Sequence, residues 1–246
     1  MKYSRAEIIS NDKITEGIYS MKVTAETESV KPGQFYMLQP RGELLPRPIS
    51  VCEIGGGWLE FCYAVVGAGT LEFSEMRVGD EINLTGPLGN GFDMDFINKH
   101  KRVAVVSGSI GIAPFIEVCK RLTCEYECFC GFHGESYLTY RFVGRNALGT
   151  PHTKIATDNG VEGHRGLVTE LFDPKDFDLI LACGSEGFSK AVAQMCVKAN
   201  VPLLISMDRY MACGVGACLC CTCKTVNGNE RCCADGPVFK GGELLW

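Results

Sequence analysis

Seven of the fifteen cysteines in this 246-residue chain fall between Cys213 and Cys233. A short segment so dense in thiols points to folding around metal rather than around an apolar core of its own. Three of them, Cys213, Cys218 and Cys221, read C-x4-C-x2-C, the spacing that holds a [2Fe-2S] cluster when a fourth thiolate follows further on. Cys233 is the natural fourth ligand, and Cys232 is the competing choice. Gly214, Val215, Gly216 and Ala217 are small, so the backbone can wrap closely and aim amide N–H groups at cluster sulfurs. A redox function follows from such a cluster.

Other metals and bonds fit less well. Cys218 with Cys221 and Cys220 with Cys223 are both C-x2-C pairs, as in structural zinc sites, but zinc pairs are usually well separated and these are crowded. A Rieske centre needs two histidines, and none lies between Cys213 and Cys233. A disulfide framework suits short secreted chains with an even cysteine count, and this chain is long with an odd one.

With 46% hydrophobic residues the chain can bury a sizeable core, and its length allows two domains and a small appendage. The opening MKYSRAEIIS lacks an apolar leader core, and no run approaches the roughly 18 apolar residues of a spanning helix. Thiol-rich and without a leader, the chain is expected in the cytoplasm, away from membranes. A net charge of −5 with no basic stripe argues against a nucleic-acid partner.

Three units are expected. Residues 1–98 show short strands between turn signals, including Lys31-Pro32-Gly33 and Gly55-Gly56-Gly57, and predict a small antiparallel β-barrel. Residues 99–206 alternate strands (102–107, 127–132, 154–157, 179–183) with helices (112–122, 187–199), predicting an α/β domain on a parallel sheet. Residues 207–246 form the cluster unit, with GGELLW as either a loose tail or a contact surface.

Within the second unit, the loop Ser107 to Pro114 (SGSIGIAP) follows a strand and opens a helix. It is not G-x-G-x-x-G, yet Gly108, Gly111 and Pro114 sit where a pyrophosphate is held on free N–H groups. Cys183 and Gly184 close another strand, at the end where ligands of parallel sheets bind, and suit a nicotinamide; a buried core thiol is the plainer reading of Cys183. Glu135 follows a strand end and suits a ribose 2′-hydroxyl better than a 2′-phosphate, a preference for NAD. His100, His133, His152 and His164 are expected in solvated loops. Cys119, Cys124, Cys128, Cys130 and Cys196 read as small core or surface residues. No catalytic acid–base group stands out.

Arg47-Pro48-Ile49-Ser50 in the barrel, with Gly67-Ala68-Gly69-Thr70 about twenty residues on, resembles the flavin site of the ferredoxin reductase superfamily. That resemblance implies FAD: Arg47 on the pyrophosphate, Pro48, Ile49 and Ser50 along the isoalloxazine, Cys62, Tyr63 and Ala64 on the ribityl and adenosine side. Gly69 and Thr70 would sit at a phosphate, with Thr70 capping a helix over 71–76. In that superfamily position 109 is glycine, where this chain has serine.

The whole chain, through LLPRPISV, GPLGNGF, SGSIGIAPF, KIATDNG, GHRGLVTE, ACGS, SMDRYMACGVGACLCCTC and CCADGPVF, resembles the electron-transfer subunits of type-B dihydroorotate dehydrogenase. The resemblance implies an FMN-containing catalytic partner that oxidises dihydroorotate in pyrimidine biosynthesis. It also implies electron flow through [2Fe-2S] and FAD to NAD+, and a heterotetramer of two chains of each kind. The small subunits of NADH-dependent ferredoxin:NADP oxidoreductases and sulfide dehydrogenases share the layout but tend to carry aspartate where Cys213 stands. A zinc-binding interaction module is the non-enzyme alternative.

Overall fold

The structure, a computed structural model, describes residues 2–142 and 153–246. His152 lies outside the described residues. Six antiparallel strands close a barrel in the order β1-β2-β5-β4-β3-β6: β1 (Lys2–Thr15), β2 (Ile18–Thr24), β3 (Phe35–Gln39), β4 (Arg47–Ile54), β5 (Trp58–Ala64) and β6 (Glu81–Leu88). The period-two pattern builds it: along β6 buried and less buried residues alternate, sending Ile82 and Leu84 inward. Phe61, Tyr63 and Phe73 complete the interior, with Tyr63 edge-on to Phe73. Between β5 and β6 runs helix α1 (Ala68–Glu75).

A short helix α2 (Met94–Ile97) leads to β7 (Arg102–Gly108), which is buried from Val103 to Ser107 because both faces of the parallel sheet are covered. A 3-10 turn at Ser109–Ile112 opens α3 (Ala113–Arg121), whose closing Lys120 and Arg121 suit the negative end of the helix dipole. The chain then lays β8 (Glu125–Phe132), β9 (Thr153–Thr157) and β10 (His164–Arg165) to one side of β7. It crosses to the other side for β11 (Leu179–Cys183), α4 (Glu186–Ala199) and β12 (Leu203–Ser206). The order β10-β9-β8-β7-β11-β12 therefore reverses between β7 and β11, and such a reversal opens a ligand crevice at the strands' carboxyl ends. His164 stands in β10, not in a loop.

The C-terminal segment makes a small hairpin, β13 (Thr222–Thr225) with β14 (Gly228–Arg231), and then β15 (Val238–Lys240). β15 joins the large sheet antiparallel to β12, pairing Ser206 with Val238. GGELLW is accordingly no loose tail: Leu244 is buried, and the Leu245 amide donates to Lys224 O at 2.9 Å. Asn90, just past β6, ties the barrel to this segment, donating from Nδ2 to Asp235 O at 3.0 Å and Val238 O at 3.1 Å.

Candidate functional site: three linked binding sites

In the cysteine loop Gly214 (φ 69°) and Gly216 (φ 80°) take the left-handed conformation that glycine adopts without a Cβ penalty. Those turns point amides inward. Val215 N and Cys218 N each donate to Cys213 Sγ at 3.4 Å, Gly216 N to Cys233 Sγ at 3.1 Å, and Cys233 N to Cys221 Sγ at 3.4 Å. The Val215 amide, with help from that of Cys218, holds the Cys213 thiol down to about 6, the condition for thiolate ligation.

The four thiols interact chiefly as two pairs, Cys213 with Cys218 and Cys221 with Cys233. Two such pairs would supply two thiolates to each iron of a [2Fe-2S] cluster, and amide donors to the sulfurs match how such clusters are held. Cys232 faces elsewhere. Fully buried, it points its thiol at Met207 O, 3.2 Å away, and contacts Cys223. The geometry therefore favours Cys233 as the fourth ligand. Cys220 is exposed, and no disulfide joins any of the fifteen thiols.

The two halves of the flavin motif meet. A Cβ built on Gly69 would lie 2.7 Å from the Arg47 guanidinium carbon, so the start of α1 lies directly against that side chain. Arg47 also donates to Leu45 O and pairs with Glu43 at 3.2 Å. Pro48, Ile49 and Ser50 are half-buried along β4. Thr70 does not cap the helix as expected. The helix begins three residues earlier, at Ala68, which places Thr70 in the third helical position, where its Oγ1 accepts from Val66 N at 2.9 Å and Gly67 N at 3.3 Å. Cys62 and Tyr63 are buried, Tyr63 inward with its hydroxyl on Asn11 at 3.0 Å, so either would meet a ligand through backbone; Ala64 is half-buried.

At the crevice, Gly111 packs against the end of β11: a Cβ there would stand 2.3 Å from Cys183 O. Gly108 and Gly184 both pack on Phe188, and Pro114 is in the first turn of α3, where a missing N–H costs nothing. Ser109 has φ 53°, the conformation for which glycine is the easy choice, and its Oγ bonds the Tyr137 hydroxyl at 2.9 Å. The hydroxyl contact offsets part of the backbone cost. Cys183 is buried, and burial pushes its thiol up to about 12, which leaves it a neutral wall rather than a nucleophile.

Several contacts that assemble the three sites had no motif. The alternation Leu59-in, Glu60-out, Phe61-in puts Glu60 on the outer face of the barrel, yet it is buried, because Arg141 covers it with bonds of 3.0 Å and 2.7 Å. Arg141 and Lys120 also pair with Glu53, and Glu117 of α3 accepts from Ile54 N at 3.0 Å. An acidic residue inside an apolar strand was the only sequence signal. Met37 of β3 pairs in register with Pro48 and also packs on the cysteine loop, so a single strand separates that loop from the flavin motif.

Residues 208–245 match the model of the iron-sulfur cluster binding domain of dihydroorotate dehydrogenase B. The chain is 46% identical to the dihydroorotate dehydrogenase B (NAD(+)) electron transfer subunit of Clostridium perfringens, covering 99% of this chain and 98% of that one. It is 42% identical to the subunit of the same name from Clostridium acetobutylicum, at 99% and 98% coverage. Among solved structures it superposes on one from a study of the NADH-dependent reduced ferredoxin-NADP oxidoreductase, with a TM-score of 0.85 and 25% identity over 98% of this chain and 90% of that one. A ferredoxin NADP+ reductase from Neisseria gonorrhoeae with bound FAD and NADP shares the fold, with a TM-score of 0.63 at 17% identity over 81% and 92%.

Proposed function

The chain belongs to the family of NAD+-linked dihydroorotate dehydrogenase B electron transfer subunits, and from that premise we propose that it passes electrons from an FMN-containing, dihydroorotate-oxidising partner to NAD+ in pyrimidine biosynthesis. When bound, the cluster carries single electrons, FAD exchanges one or two, and NAD+ accepts a hydride. The residues of this chain bind and align those groups.

Cys213 and Cys218 would hold one iron, Cys221 and Cys233 the other. Arg47 and the start of α1 at Gly69 and Thr70 would bind the flavin pyrophosphate, with Pro48 to Ser50 along the ring and the backbone of Cys62 to Ala64 beside the ribityl chain. Gly108, Gly111 and Pro114 would receive the NAD pyrophosphate, and Cys183 with Gly184 the nicotinamide. No proton transfer is asked of any side chain. The observation that carries this reading is Met37, which touches the cysteine loop and is the register partner of Pro48. That contact supports a path one strand long between the cysteine loop and the flavin motif.

The ferredoxin:NADP oxidoreductase alternative shares the fold, but the higher identity to the dihydroorotate subunits and the cysteine at 213 favour the first reading. Two chains of each kind and a cytoplasmic setting, where thiols stay reduced, complete the proposal. Among the described residues no helix is long and apolar enough to cross a membrane.

The test is anaerobic. The chain is purified with and without a dihydroorotate-oxidising FMN subunit, dihydroorotate is added, and NADH formation is followed with the visible spectrum. NADH formed only with both subunits present, as flavin and cluster bands bleach, is the expected result. Bleaching only by NADPH or a ferredoxin would move the chain to the alternative.

A further inference from the structure

Arg231 ends β14 two residues before Cys233, and its guanidinium is gripped on two sides. Asp235 takes Nε at 2.8 Å and Nη2 at 2.9 Å, and its Oδ2 also accepts the Arg231 amide at 2.7 Å. The remaining nitrogen, Nη1, donates to Gly216 O at 3.3 Å. Gly216 is the residue whose own amide donates to Cys233 Sγ at 3.1 Å. A Cβ on Gly216 would stand 3.0 Å from both Arg231 Nη1 and Ala234 Cβ, so the guanidinium lies directly against the residue whose amide serves the sulfur, holding it through the carbonyl on the other side of its Cα. The chain of contacts is Asp235, Arg231, Gly216, Cys233.

We propose that Arg231 and Asp235 set the reduction potential of the cluster these thiolates hold, with Arg231 acting as a positioning residue that fixes the Gly216 amide on Cys233 and places positive charge beside it. This rests on the cluster reading above. Reduction adds one electron and hence one negative charge, which a cation and a well-aimed N–H donor stabilise and a carboxylate opposes. Arg231 therefore raises the potential and Asp235 restrains it. Their side chains are 39% and 32% exposed, so solvent screening keeps the effect moderate.

The experiment is an anaerobic redox titration of the full chain, reconstituted with iron and sulfide and followed by cluster absorbance and electron paramagnetic resonance. Arg231→Gln is expected to make reduction about tenfold less favourable, a fall of 59 mV for a one-electron couple. Asp235→Asn is expected to shift the potential the other way, and Arg231→Lys, which keeps the charge but loses the two-pronged grip, to fall between parent and Arg231→Gln. A loosened loop would move the Gln and Asn variants in the same direction. That result, or unchanged potentials in both, overturns the inference while leaving the cluster reading in place. If Arg231→Gln does not retain a cluster, the opposite shifts of Arg231→Lys and Asp235→Asn decide in its stead. A parent chain that takes up no cluster overturns the cluster reading, and this inference with it.

Discussion

Met37 in the barrel and Gly214 in the cysteine loop are in contact through a gap that admits no side chain: a Cβ on Gly214 would lie 2.7 Å from Met37 Cγ. Gly214 also has φ 69°, so an alanine there is both crowded and strained. Gly214→Ala is expected to cost about 1–3 kcal/mol through backbone strain and to lower the iron retained per chain. Denaturant unfolding and iron analysis of the purified variant check this; full iron content with parental stability would contradict it.

Single serine substitutions separate ligands from bystanders. Cys213→Ser, Cys218→Ser, Cys221→Ser and Cys233→Ser should each lose or destabilise the cluster, whereas Cys220→Ser and Cys223→Ser should keep it. Cys232→Ser should also keep it, because that thiol is spent on Met207 O. Visible absorbance and iron content are the readouts. A cluster lost in Cys232→Ser and kept in Cys233→Ser would show the fourth ligand to be misassigned.

Gly111→Ala drives a methyl into the carbonyl of Cys183 and pushes the loop away from the end of β11. Affinity for NAD+ should fall about tenfold or more, since small displacements of a binding loop carry large penalties. FAD content should stay at the parental level, because the flavin motif lies on the barrel. Titration with NAD+ alongside flavin quantitation separates the two effects, and an equal loss of both would point to general unfolding.

Acid should loosen the joint between barrel and sheet. Burial pushes the Glu53 carboxyl up, but Lys120 and Arg141 outweigh it and hold the group below the ordinary carboxylate range. A carboxylate lowered on folding contributes its full stability above its unfolded pKa, about 4.3, and loses it as the pH falls through the lower folded value. Thermal unfolding between pH 7 and pH 3 should therefore decline more steeply in the parent than in Glu53→Gln. Parallel curves would show that Glu53 does not govern the joint.

What could be read from the sequence was what local chemistry dictates. The strand at 179–183 and the loop opening α3 each depend on residues close in the chain, and each is found where expected. The misses are non-local or conformational. β15 needs β12 to be a strand at all, and its Val-Phe-Lys core is too short to signal alone. Arg141 gives no sign that it will reach Glu60 across the molecule. Threonine favours the helix-cap position, but the helix starts earlier, with Gly67 as its N-cap, and Thr70 turns back on the preceding amides. Cys232 and Cys233 are indistinguishable by spacing, and only the direction of each thiol separates them.

The pairing of Ser206 with Val238, reinforced by the bond from Met207 N to Pro237 O at 2.9 Å, brings the two ends of the cysteine segment side by side at the edge of the sheet. The ordering penalty of closing that long excursion falls on the sheet rather than on the metal. The segment that carries the thiols is thereby anchored to the sheet at both of its ends, by bonds that lie outside the cysteine loop itself.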